Sequence, residues 1–178
     1  MNTPEEHIYP IGQMLTPQNY SEKAFKDDLQ EIKVLPRILD YCVENLDAAH
    51  LATPYREGGW SIHQIIHHIA DSHMNAFIRI KLAVCEDNPT VKPYNQDDWV
   101  LTNDVMNVPV NYSITLIHAL HHRLYTLLDA LTEEQLMRTY YHPEYDKTTA
   151  IWQLAHNYAW HGKHHSEQIR QLRIRNGW

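Results

Sequence analysis

The sequence predicts an all-α fold, a four-helix bundle with one long crossover between its second and third helices. Three observations carry that reading. Apolar residues recur at steps of three and four in four long stretches, which places them on one face of a helix each. Alternating apolar runs and two-residue hairpin turns are missing. A polar segment over residues 86–112 with Pro89, Pro93 and Pro109 separates the second pattern from the third.

The first helix is expected over residues 21–46, with Phe25, Leu29, Ile32, Leu35, Leu39, Val43 and Leu46 on one face. Pro36 lies inside it and predicts a kink. Residues 47–59 read as loop, punctuated by Pro54 and the Gly58-Gly59 pair. Ser61 is a good N-cap for the second helix, and Gln64 completes a capping box. Ile62, Ile65, Ile66, Ile69, Phe77, Ile80 and Val84 form its apolar face, which ends near Cys85. Residues 86–112 form the crossover, with one short helix around Trp99. Ser113 is read as the cap of the third helix, whose inward residues are Ile114, Ile117, Leu120, Leu124, Leu127, Leu128 and Leu131. Thr132 and Gln135 make a second capping box for a short helix. A tyrosine-rich loop follows through Asp146, then a fourth helix over residues 149–175 that Gly177 ends. Joined by the long crossover, helices two and three can lie parallel.

A chain of 178 residues fits one domain, 1–178, with a sizeable core. Cys42 and Cys85 stand alone, which fits a reducing compartment and a cytoplasmic location, and both read as core residues. The opening Met1-Asn2-Thr3-Pro4-Glu5-Glu6 lacks the basic start and apolar stretch of a signal peptide. No run of apolar residues is long enough to span a membrane. The formal charge is −7 and no basic stripe exists, so nucleic acid is not an expected partner.

Histidine is the outlier: 14 of them stand against 15 Lys and Arg together, and imidazole is the commonest metal-binding side chain. Leu154, Tyr158, His161, His165 and Leu172 share one face of the fourth helix with Ile151 and Ile169. His161 and His165 therefore face inward one turn apart, the spacing of the two histidines in H-E-x-x-H zinc sites, although the Glu of that motif is absent. Gly162 lies between them, and a glycine inside a helix points to a close approach. The alternative reading makes both core histidines satisfied by other polar groups. The pairs His118/His122 and His63/His67 lie off the apolar faces and read as solvated, as do His156 and His164. For a further ligand His67, His68 and His73 are all in reach. His73 suits a hydrogen-bonded core histidine. The neighbours Ile65 and Ser72 lean the assignment towards His68 over His67, but periodicity leaves it open.

Six segments then point to a family. Three of them are Gly58-Gly59-Trp60-Ser61 and two longer runs, from His67 through Asn75 and from Tyr158 through His165. Tyr9-Pro10-Ile11-Gly12, Lys92-Pro93-Tyr94 and Gly177-Trp178 accompany them. Together they resemble the YfiT branch of the DinB superfamily over essentially the whole chain. The resemblance implies a four-helix bundle with a long crossover, often a homodimer. It also implies a divalent metal held by His68 of helix two and by His161 and His165 of helix four. Lys163 stands where that family often has Arg, which touches only a possible anion contact.

Three neutral imidazoles leave the ion an open position, the pattern of catalytic rather than structural sites. Zinc or nickel is the expected ion, with manganese or iron compatible. The resemblance implies a metal-dependent enzyme acting on a small-molecule substrate. Its nucleophile is either water, as in a hydrolase, or a low-molecular-weight thiol of the bacillithiol type, as in an S-transferase. The alternative is a metal- or ligand-binding stress-response bundle without turnover. Asp71 reads as a solvated carboxylate, with a second role orienting a ligand left open. No general base is assigned.

Overall fold

The computed structural model describes residues 7–178, so the acidic opening at residues 1–6 lies outside the described residues. The chain runs through α1 (Glu22–Val43), α2 (Ala48–Leu51), α3 (Ile62–Cys85), α4 (Gln96–Trp99), α5 (Asn103–Asn107), α6 (Val110–Asp129) and α7 (Glu133–Leu136). It continues through strands β1 (Thr139–His142) and β2 (Lys147–Ala150) into α8 (Ile151–Asn176). The four long helices form the bundle. Among the described residues no helix is long and apolar enough to cross a membrane.

Local chemistry explains most boundaries. Ser21 caps α1 through its side chain. Helical backbone continues through Pro36, which is itself buried. Ser61 and Gln64 close a capping box at α3, and Thr132 and Gln135 close another at α7. Gly177 adopts the left-handed conformation, φ +70°, that lets it terminate α8. Two expectations fail here. Residues 47–59 contain the one-turn α2, closed by Asp47 and His50, and the crossover holds two short helices, α4 and α5, rather than one.

Ser113 does not cap the third helix. Pro109 stands at the N-cap of α6, so the helix begins four residues before the expected start. A proline supplies a fixed φ there and lacks the N–H that a helix start leaves unpaired. The side chain of Ser113, freed from capping, meets His67 Nδ1 at 2.7 Å.

The tyrosine-rich loop is a short antiparallel hairpin, with Thr139 opposite Ala150 and His142 opposite Lys147. Its inward residues are Tyr140 and His142, so the alternation is present but carries no aliphatic signal. The hairpin also grips the crossover: Val91 N–H donates to the Tyr141 carbonyl, and Tyr141 N–H to the Pro89 carbonyl.

Within the bundle, α1 packs on α6 and α8, and α3 packs on the same two helices. His67 meets Ser113 and His73 meets His121, so α3 and α6 run parallel. Asp28 meets His156 and Cys42 meets Ser166, so α1 and α8 do as well. The apolar core falls into two clusters. One holds Phe25, Ile32, Ile80, Leu124, Leu128 and Ile151. The other holds Leu35, Leu39, Ile66, Ile69, Ile117 and Ile169. Between them on α3, α6 and α8 lies a layer of buried or half-buried histidines.

Candidate metal centre

His68 on α3 and His161 and His165 on α8 converge in that layer. One ligand-capable atom from each lies within 4.8 Å of the others. His68 Nε2 and His161 Nε2 are 3.1 Å apart. Two nitrogens each about 2.0–2.1 Å from a tetrahedral zinc stand about 3.3 Å apart, so the spacing fits such an ion. His68 and His165 are buried, while His161 is partly open.

Burial pushes the His68 imidazole down to about 4, and burial with the neighbouring rings holds His161 and His165 well below the usual histidine range. All three are neutral at pH 7, so each ring has one N–H and one lone pair. Neutral imidazole is the form that binds a metal.

The surroundings decide which nitrogen carries the lone pair. The Ile32 carbonyl can only accept, so His121 Nδ1–H donates to it at 2.6 Å. His121 Nε2 is then bare and accepts from His73 Nδ1–H at 2.9 Å. His73 Nε2 accepts in turn from His161 Nδ1–H at 3.1 Å. His161 is left with its lone pair on Nε2, the atom that faces His68. A second line fixes His165. The Ile8 carbonyl accepts from Gln168 Nε2–H at 2.9 Å, which orients the amide so that Oε1 accepts from His165 Nδ1–H at 2.8 Å. The lone pair of His165 is therefore also on Nε2. Such outer hydrogen bonds are what orient metal-binding histidines and fix their tautomers.

Trp60, delivered by the Gly58-Gly59-Trp60 turn, covers the group. Its ring lies 4.6 Å from that of His68 and stacks at 6.3 Å from that of His165. Gly162 owes its identity to α1, because a Cβ there would collide with the Leu35 side chain.

The remaining candidates go elsewhere. His67 is buried, not solvated, because the crossover folds over it. Its Nε2 bonds the Val108 carbonyl at 3.0 Å, and His63 Nε2 bonds the Val105 carbonyl at 2.7 Å. His67 thus holds the crossover, and of the two adjacent histidines it is His68 that lies with His161 and His165. His73 is a fully buried core histidine as expected, but its partners are His121 and His161. His121 escaped the sequence reading altogether. His118 and His122 are exposed, the former beside Asp40. His156 is half-buried against Asp28. His164 is buried, not on the surface, where it stacks on Trp160 and meets Gln168. Asp71 is half-buried, and burial pushes its carboxyl up to about 6. Lys163 reaches outward to Glu31 at 3.3 Å. Cys42 is a core residue whose thiol burial raises to about 11, whereas Cys85, at the last position of α3, is exposed.

Two cavities meet at His161, and Gln96 and Asp97 of α4 line both. One, of about 570 Å³, is lined by Ser72, Arg79, Tyr94, Tyr145 and Tyr158. The other, of about 410 Å³, is lined by Tyr9, Arg56, Trp60, His68 and His165. A more apolar cavity of about 670 Å³ between Leu51 and Met106 includes none of the three imidazoles.

Comparison with known proteins agrees with this architecture. The profile of the DinB superfamily matches residues 31–169. Proteins from Bacillus cereus (strain 03BB102) and Bacillus anthracis (strain CDC 684) are each 42% identical over 170 residues, covering 96% of this chain and 97% of theirs. Both carry the name "Putative metal-dependent hydrolase". Among solved structures, YfiT from Bacillus subtilis superposes with a TM-score of 0.94 at 35% identity, covering 97% of this chain and 99% of its own. It is described as "a probable metal-dependent hydrolase with an unusual four-helix bundle topology". This chain belongs to the DinB superfamily.

Proposed function

We propose that the protein is a metal-dependent hydrolase of small molecules, with His68, His161 and His165 as the ligands of one divalent cation. The observation that carries this reading is the convergence of the three imidazoles beside two cavities, with the lone pairs of His161 and His165 on Nε2. A divalent cation held there supplies Lewis acidity, which lets water or a thiol ionise near neutral pH. Zinc or nickel suits three imidazoles best, and manganese or iron is compatible.

The chain's own residues do the rest. Three protein ligands leave a four-coordinate ion an open position. His73 and Gln168 keep the N–H groups of His161 and His165 turned away from the lone pairs. Trp60 packs against one flank, and His161 lies beside both cavities.

One observation favours a second reading, thiol transfer. Hydrolysis needs room for one organic molecule and a water. Here cavities of about 570 and 410 Å³ flank His161, enough for an electrophile on one side and a small thiol on the other.

Metal content by mass spectrometry tests the proposal, on protein purified without chelator beside a folded His161→Ala variant. The expected result is about one equivalent per chain in wild type and loss in the variant. Wild type that carries no metal and takes up none of Zn²⁺, Ni²⁺ or Mn²⁺ overturns it. Turnover of ester and amide substrates without added thiol then separates hydrolysis from transfer, which needs the thiol.

A further inference from the structure

The larger of the two cavities beside His161 has a feature the metal reading does not use. Arg79 lies on α3 and is only 9% exposed. A guanidinium carries five N–H donors. Its one hydrogen bond among the described residues runs from Nη2–H to the Lys92 carbonyl, at 3.3 Å. The ring of Tyr94 lies 6.0 Å from its Cζ. Asp97 and Glu144 line the same cavity, but neither comes within ion-pairing distance of Arg79, and both are exposed.

A buried charge without a partner costs several kcal/mol, so proteins keep one only where water or a ligand completes it. Arg79 lines the cavity, which supplies the space for that partner. Its planar fork of donors matches the two oxygens of a carboxylate. The exposed acids Asp97 and Glu144 repel a multiply charged anion and narrow the match to a compact, singly charged end. Nearby, His142 is buried with no hydrogen-bond partner on Nδ1, so the same wall holds a second polar group that the fold leaves unsatisfied.

We propose that this cavity binds a substrate carrying a carboxylate, which Arg79 holds while the rest of the molecule extends towards His161. Calling that ligand the substrate rests on the metal-centre reading, but the binding itself does not need a metal. Arg79 is a positioning and specificity residue, so its loss weakens binding of carboxylates and leaves metal content unchanged.

The test is an NMR titration with propionate as probe and propionamide as its uncharged control, at constant ionic strength. It is run on metal-loaded and chelator-treated protein, on wild type, Arg79→Gln and Arg170→Gln. Arg170 sits on the exposed face of α8 beside Glu167 and controls for the lost charge. The expected result is saturable binding of propionate but not propionamide, with or without metal. Propionate should shift the Arg79 Nε–Hε signal of wild type, which keeps the test valid even if Arg79→Gln folds poorly. Affinity should fall on the order of tenfold or more in Arg79→Gln and stay unchanged in Arg170→Gln. Binding that appears only with metal and survives Arg79→Gln would place the carboxylate on the ion; it overturns the pocket and leaves the metal reading standing. Equal binding of the amide, or no shift at Arg79, also overturns it. Arg79-dependent binding in a protein that never takes up metal keeps the pocket and removes the metal reading instead.

Discussion

His73 and His121 are absent from the proposed ligand set, yet they determine what His161 offers. Replacing His73 by Phe removes the acceptor for His161 Nδ1–H and leaves His121 Nε2 without its donor. Metal affinity is expected to fall about 10–100-fold, as on loss of other outer hydrogen-bond partners of metal ligands. Competition against a chromophoric chelator measures that loss, and ¹⁵N spectra of His161 report whether its tautomer has become mixed. An unchanged affinity with a single tautomer would refute the line of orientation from Ile32. At this scale the sequence was partly legible. His161 and His165 announced themselves by sharing a helix face with Leu154 and Ile169. His121 gave a comparable signal, since Ile117, His121, Leu124 and Leu128 are spaced four, three and four apart. Spacing between histidines does not single it out, because the i, i+4 pair on this helix is His118 and His122, on the exposed face. His67 and His68 are adjacent, and periodicity could not know which would be covered by the crossover.

Among the elements, α8 is held against α1 by the fit of Leu35 onto Gly162. Gly162→Ala gains helix propensity of about 1 kcal/mol but forces Leu35 to move. Overpacking of this kind typically costs about 1–3 kcal/mol. The variant should therefore be less stable in urea, and Leu35→Ala in the same chain should recover part of the loss. Additive effects of the two substitutions would show that they do not meet. The long helices were readable because their apolar steps and the boxes at Ser61 and Thr132 are local signals. The start of α6 was not, because serine has two uses: Ser113 had the chemistry of a cap and spends it on His67, a partner 46 residues away. The hairpin stayed hidden for a similar reason, since Tyr140 and His142 face inward only once α3 and the crossover are present to receive them.

For the molecule as a whole, a buried neutral histidine layer makes stability depend on pH. His68 and His121 are held down to about 4 by burial, and His73, His161 and His165 lie well below their usual range. In the unfolded chain each titrates near its ordinary value of about 6.5. As pH falls through that value the unfolded chain binds protons that the folded one refuses. The stabilisation is thus complete above about 6.5 and is lost progressively down to about 4. His121 alone accounts for about 3 kcal/mol over that window. Asp71, raised to about 6, acts in the opposite sense, and its partial exposure limits the offset. Urea midpoints of chelator-treated protein should therefore drop steeply between pH 6.5 and 4, and a flat profile would contradict neutral, buried imidazoles.

The line of hydrogen bonds that begins at the Ile32 carbonyl has a consequence beyond chemistry. It passes from α1 to α6 at His121, to α3 at His73 and to α8 at His161, so one connected path touches all four long helices. Apart from the seat of Leu35 on Gly162, leucine and isoleucine contacts are non-directional, and a helix displaced by one turn, about 5.4 Å, still finds apolar neighbours. A chain of single donors meeting single acceptors does not, since the same slip would strand several buried polar atoms. The histidine layer thereby works as an axial index mark, locking the four helices at one height before any ion or substrate arrives.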